Sequence, residues 1–163
     1  MNAARRLLLF GGIALALLGM SYGLWYAVFA EHQELDGIGQ SLTKGFSAAA
    51  ARNSTEAATA LQQYRELKYT YDRHVDVHGH WIGLAMLLIV LGIALDRVSF
   101  GEPMKMTLAI GLLGGSLLFP LGVWLQTFSH GNGPRGLAAA GAGLVIASMA
   151  LFAIGFARAP KSS

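Results

Sequence analysis

The amino-acid sequence predicts an all-α integral membrane protein: a four-transmembrane-helix bundle with an extracytoplasmic helical segment between helices 1 and 2. Of its 163 residues, 54% are hydrophobic and only 13% are charged, whereas soluble domains carry about 25% charged residues. The apolar residues also fall in long blocks, and about 20 residues of helix cross a hydrocarbon core of about 30 Å. A chain of this length fits a single membrane domain over residues 1–163.

The composition also excludes several kinds of site. Cysteine is absent, which rules out disulfides, thiolate metal sites, iron–sulfur clusters and covalently attached c-type haem. The formal net charge of +3 is small and scattered, so nucleic acid is not an expected partner. The predicted membrane interiors contain hydroxyl side chains but no carboxylate or basic side chain, which argues against a transporter or pump acting alone.

The first predicted transmembrane helix covers about residues 7–30 and is preceded by Arg5 and Arg6. A basic pair before an apolar run is also the pattern of a secretory signal peptide, and Val28-Phe29-Ala30 would be an acceptable cleavage site. Signal-peptide apolar regions are typically about 7–15 residues long, shorter than this block. The length therefore favours an uncleaved anchor, although the sequence does not decide whether residues 1–30 are removed.

The segment of about residues 31–75 is polar enough to lie outside the membrane, as an outer helical segment. Gly37 and Gly39 predict a break in its first part. The run from Asn53 to Glu56 offers an N-cap and an acidic first turn for a helix. Apolar and aromatic residues then recur at helical spacing. No breaker follows before His78, so this helix is predicted to continue into the second apolar block.

Three further transmembrane helices are predicted at about residues 76–95, 105–128 and 135–157. The second apolar block contains only the residues from Trp81 to Leu95, which is too short to span the bilayer alone. Residues 76–80 must therefore complete the second helix, which places the histidines of that stretch near the outer interface.

Lysine and arginine near the helix ends predict the orientation. With the N-terminus inside, the cytoplasmic segments carry Arg5, Arg6, Arg97, Lys105, Arg158 and Lys161. The short outer loop carries only Arg135. This distribution predicts that both termini lie in the cytoplasm, and the membrane expected for the chain is the bacterial inner membrane.

All five histidines fall on the predicted outer side: His32, His74, His78, His80 and His130. His74 and His78 are four residues apart on a predicted helix, so they share a face and can chelate one metal ion. Asp76 and His80 are also four residues apart. They could act as two ligands, or the Asp76 carboxylate could orient the His80 imidazole.

Two kinds of cofactor fit this cluster, and a third interpretation needs none. A non-covalent haem b would take one imidazole from His78 or His80 and another from His130, as haem sites in helix bundles do. Trp81 and Trp124 would line it. A copper or zinc ion would draw on His74, Asp76, His78, His80 and His130. Otherwise the histidines and tryptophans simply lie at the membrane interfaces, where aromatic belts occur regardless of function.

The sequence is compatible with three functions. The first is a small electron-transfer protein or subunit of a respiratory-type complex, which exchanges electrons with quinol or with an outer partner. The second is a structural or assembly subunit without a cofactor, packed in lipid against other subunits or against copies of itself. Its docking stripe would be Leu61, Tyr64, Leu67 and Tyr71. A metal-dependent membrane enzyme is the third, and the sequence offers no evident catalytic base for it.

Overall fold

The computed structural model describes residues 2–158 and contains five α-helices in that range. They are α1 (Ala3–Phe29), α2 (Glu31–Ala50), α3 (Ser54–Ala94), α4 (Glu102–Leu125) and α5 (Asn132–Ala157), with a 3₁₀ turn at Leu95–Arg97 between α3 and α4. No strand occurs in the described part of the chain. The all-helical class is therefore confirmed.

Four of these helices are long and apolar enough to cross a membrane. They are α1, α3 together with its 3₁₀ turn, α4 and α5. They coincide with the four apolar blocks of the sequence. The fifth helix, α2, is less apolar and lies between the first two, where the outer helical segment is predicted.

The predicted break at Gly37 and Gly39 is wrong, because α2 runs through both residues to Ala50. Gly37 instead permits a close approach between helices. A Cβ atom at this position would lie only 3.1 Å from Leu67 Cδ1 of α3. The chain reverses at Ala51–Asn53, where Arg52 adopts a positive φ of 56°, so α2 and the first half of α3 form a helical hairpin.

The prediction that α3 begins near Asn53 and continues without interruption is confirmed. The Asn53 side chain accepts a hydrogen bond from the backbone N–H of Glu56 at 3.2 Å, which caps the helix. The helix then runs for 41 residues, about 60 Å at 1.5 Å per residue. Its first half packs against α2, and its second half contributes Val77, Ala85 and Leu88 to the hydrophobic core.

Small residues bring the apolar helices into close contact, as is common between helices in lipid. A Cβ on Gly115 of α4 would lie 2.7 Å from the carbonyl oxygen of Gly141 in α5. On the other side of the molecule, a Cβ on Gly19 of α1 would lie 3.0 Å from Trp81 Cβ in α3. The helices therefore form two tightly packed pairs, α1 with α3 and α4 with α5, and α3 also contacts α4.

Candidate functional site

A group of four polar side chains, two buried and two half-buried, lies where α1, α2 and α3 meet, at what we call the hairpin end of the bundle. Tyr26 donates a hydrogen bond from its hydroxyl to Glu34 Oε2 at 2.7 Å. His74 Nε2 lies 3.6 Å from Glu34 Oε1, and His74 Nδ1 is hydrogen-bonded to the Tyr22 hydroxyl. The Tyr26 and His74 rings are stacked, with centroids 4.9 Å apart. We call Tyr22, Tyr26, Glu34 and His74 the polar cluster.

Both nitrogens of His74 face members of the polar cluster, Nδ1 in a hydrogen bond and Nε2 at 3.6 Å from Glu34, and the residue is only 7% exposed. A carboxylate only accepts hydrogen bonds, so the nitrogen that faces Glu34 is assigned the ring hydrogen. His74 Nδ1 then accepts from the Tyr22 hydroxyl. A metal ion at His74 would have to replace one of these partners.

His78 lies on the same face of α3 as His74, as their spacing predicts, and it packs against α1. Its Nδ1 is 2.9 Å from the carbonyl oxygen of Gly19. A Cβ on Gly23 would collide with the imidazole ring, so the ring is held in a slot that only glycine leaves open. Because a carbonyl oxygen only accepts, Nδ1 carries the hydrogen and Nε2 keeps its lone pair.

His80 points in a different direction, toward α4. Its ring meets the ring of Phe119 edge to face, with centroids 4.6 Å apart. Its Nδ1 donates to the carbonyl oxygen of Asp76 at 2.6 Å. The Asp76 carboxylate instead pairs with Arg73 at 3.1 Å, so the main chain of Asp76, and not its side chain, orients the imidazole.

The other two histidines lie far from this point. His130 is exposed in the turn after α4, and its ring centroid is 5.0 Å from that of Tyr69. Tyr69 precedes His80 by 11 residues on α3, about 16 Å along the helix axis. His32 is exposed on α2 and lies 3.4 Å from Asp36. The structure therefore does not bring His130 together with His78 or His80.

Within residues 2–158, no three histidine, aspartate or glutamate side chains are arranged so that they could hold a metal ion. His78 and His80 are two residues apart and face different helices, α1 and α4. A metal ion or haem at either imidazole would therefore need another ligand from outside this set of residues.

The tryptophans predicted to line the site border an apolar groove between α1, α3 and α4. We call it the aromatic groove, and its volume is about 390 Å³. Its lining residues are Leu18, Tyr22, Trp81, Leu117, Leu121 and Trp124. Trp81 is only 6% exposed. The indole nitrogens of Trp81 and Trp124 are buried and have no hydrogen-bond partner among the described residues.

A second apolar groove, the hairpin groove, lies between α2 and the start of α3 and has a volume of about 280 Å³. Phe46, which is 74% exposed, lines it together with Leu61 and Tyr64. The predicted docking stripe is therefore divided: Leu61 and Tyr64 line the groove, whereas Leu67 and Tyr71 pack against other helices. Leu67 packs against Gly37, and the Tyr71 ring lies 6.4 Å from that of Tyr26.

Sequence reasoning missed the polar cluster except for His74. The spacing of four residues between Tyr22 and Tyr26 places both on one face of α1, and this local signal could have identified the pair. Glu34 lies in the polar segment of about residues 31–75, which the sequence places outside the membrane. Its burial depends on α2 folding back beside α1, which the sequence does not indicate.

Comparisons of the chain with known protein families, with curated proteins and with solved structures found no match.

Proposed function

We propose that the chain is an integral protein of the bacterial inner membrane with both termini in the cytoplasm. In this arrangement α1, α3, α4 and α5 cross the bilayer, and the α2–α3 hairpin lies outside. Support comes from the four long apolar helices and from the basic residues Arg5, Arg97 and Lys105 at the end opposite the hairpin. Lys161, which contributes to the same bias, lies outside the described residues.

The absence of native cysteine makes this topology straightforward to test. Ser47→Cys on α2 and Ser99→Cys in the α3–α4 turn both replace exposed residues. A membrane-impermeant maleimide added to intact cells lacking the outer membrane should label the first variant and not the second. Labelling of Ser99→Cys alone would reverse the proposed orientation.

Within that membrane, we propose that the protein is a small electron-transfer subunit of a respiratory-type complex. It would bind haem b, or alternatively a copper or zinc ion, through His80. The observation that carries this proposal is the hydrogen bonding of the His80 imidazole. Its Nδ1 donates to the Asp76 carbonyl oxygen, and its Nε2 has no protein partner in the described structure. Histidines that bind metals usually donate their other ring N–H in this way.

The surface beside His80 also suits a large flat ligand. Gly79 and Gly83 are exposed, and a Cβ at either position would meet no atom within 4 Å. His78 has the same hydrogen-bonding state, but its ring is held against Gly23. His80 is therefore the better ligand. Its partner ligand would come from another subunit or from a second copy of the chain.

Absorbance spectra of the protein purified in mild detergent, before and after reduction by dithionite, test this proposal together with metal analysis. Reduced bands of a b-type haem, or a stoichiometric metal ion, are the expected result. His80→Gln should abolish the signal, whereas the matched variant His32→Gln, on exposed α2, should keep it. A well-folded sample with neither haem nor metal would contradict the proposal.

The hairpin groove favours a second candidate function, that of a structural or assembly subunit. Phe46 is exposed in a segment that the proposed topology places in water, and no charged side chain lines the groove. Its occupant would therefore be an apolar segment of another subunit. Under this proposal, Phe46→Ser should release the protein from its complex on a native gel. Leu35→Ser, which alters an exposed leucine outside the groove, should not.

A further inference from the structure

We infer that the aromatic groove binds the ring of a membrane quinone. The inference rests on the proposed electron-transfer role, and it names a quinone as the small molecule that exchanges electrons with the protein. Three aromatic side chains line the groove, Tyr22 from α1, Trp81 from α3 and Trp124 from α4. Its volume of about 390 Å³ is within the usual range of small-molecule sites.

The groove is open on the side that faces lipid in the proposed topology. Leu18 and Leu117 border it and are 43% and 42% exposed. A ligand that diffuses in the bilayer can therefore enter from the side, and an isoprenoid tail can remain among the lipid chains. The Tyr22 and Trp81 rings meet edge to face, with centroids 5.4 Å apart, which forms one aromatic wall for a flat ring.

Two hydrogen-bond donors lie behind the groove wall without an acceptor, the indole N–H groups of Trp81 and Trp124. Buried polar groups in proteins nearly always have a partner, so two exceptions around one groove point to a missing ligand. A quinone carries two carbonyl oxygens on opposite sides of its ring, and each can accept one N–H. Because the wall itself presents carbon atoms, the indoles must turn toward the ligand to form these bonds.

The lining favours a quinone over a phospholipid. All six lining residues are uncharged, so the groove offers no cation to a phosphate group. A quinone ring is neutral and flat, and it needs stacking surfaces and hydrogen-bond donors. The groove supplies both kinds of group.

The polar cluster adds a second argument, since it begins at the groove wall. The Tyr22 ring lines the groove, while its hydroxyl is hydrogen-bonded to His74, and His74 faces Glu34. Quinone chemistry exchanges protons as well as electrons. A run of titratable groups that extends from the groove wall to the hairpin would give protons a path between a quinone in the groove and the outer face.

Isothermal titration of the whole detergent-purified chain with decylubiquinone, and separately with a short-tailed menaquinone, tests the inference. Saturable binding of at least one of them to a single site is expected. The substitutions Trp81→Phe and Trp124→Phe keep the aromatic wall but remove one donor each, and each should weaken binding about tenfold. Leu121→Trp should abolish binding because it fills the groove.

Trp25→Phe is the matched control, since Trp25 is 46% exposed and lies outside the groove; it should bind as the unaltered chain does. Absence of saturable binding by both quinones would overturn the inference. Equal affinity in the Trp81→Phe/Trp124→Phe double variant would also overturn it, as would competition by short-chain phosphatidylglycerol at the same concentration as quinone. The titration needs no haem, so quinone binding by a haem-free, metal-free sample would sustain this inference while contradicting the proposed cofactor.

Discussion

The two sides of α3 differ in how completely their polar groups are paired. On the side that faces α1, both nitrogens of His74 have partners in the polar cluster, and His78 is fixed by Gly19. On the side that faces α4, His80 leaves Nε2 unpaired among the described residues. Trp81, whose indole is buried without an acceptor, packs against Gly19 and Tyr22 of α1 and also borders α4 in the aromatic groove. Pairing of this kind stabilises a fold, whereas unpaired buried groups mark where a ligand could bind. The histidines that face α1 are therefore held in place by α1 and the polar cluster, whereas His80 is hydrogen-bonded only to its own helix and is the candidate cofactor ligand.

The largest expected effect is a difference in stability between variants of His74, on the α1 side, and His80, on the α4 side. His74→Leu removes the partner of Tyr22 and Glu34 and leaves both half-buried, so it should destabilise the chain by roughly 2–3 kcal/mol. His80→Leu removes one bond to its own helix and should cost less than about 1 kcal/mol. Thermal unfolding in detergent, followed by circular dichroism, measures both. Equal losses would remove the distinction between the two sides.

Glycine substitutions test the same contrast in packing. Gly23→Ala places a methyl group against the His78 ring, and overpacking of this kind costs about 1–3 kcal/mol. Gly79→Ala, whose Cβ would meet open space, should be neutral or stabilise the helix by up to about 1 kcal/mol. The two melting temperatures should therefore shift in opposite directions or by clearly different amounts. Similar losses in both variants would show that the surface at Gly79 is covered.

A smaller effect is expected from a single bond within the polar cluster. Tyr26→Phe removes the hydroxyl that donates to Glu34 Oε2 and should cost about 1–2 kcal/mol, because the carboxylate remains partly buried. Tyr64→Phe is the control, since the Tyr64 hydroxyl has no hydrogen bond in the described structure. Thermal unfolding of the two variants side by side checks the difference. If Tyr26→Phe unfolds at the same temperature as the unaltered chain, Glu34 has an alternative partner, such as water.

The sequence predicts the helices well because hydrophobic blocks and the Asn53 cap are local signals. It also places His74 and His78 correctly on one face, since helical spacing requires it. It does not predict where each ring points across the bundle. The inference that His130 would face His80 assumed that α3 and α4 meet at matching heights, whereas His130 lies beside Tyr69. Glu34 enters the polar cluster only because α2 folds back, which is a tertiary event without a local signal.

The smallest expected effect concerns Asp76, whose carboxylate the sequence presents as a candidate partner of His80. In the structure the Asp76 carbonyl oxygen holds the imidazole, and the carboxylate forms a partly exposed pair with Arg73. Asp76→Asn should therefore cost at most about 0.5 kcal/mol, as partly exposed ion pairs usually do. It should also leave any haem or metal signal of the purified protein unchanged, because the main-chain bond to His80 remains. Loss of that signal in Asp76→Asn, with the melting temperature unchanged, would mean that the carboxylate acts on the ligand directly and that the α4-facing side contains one more functional group.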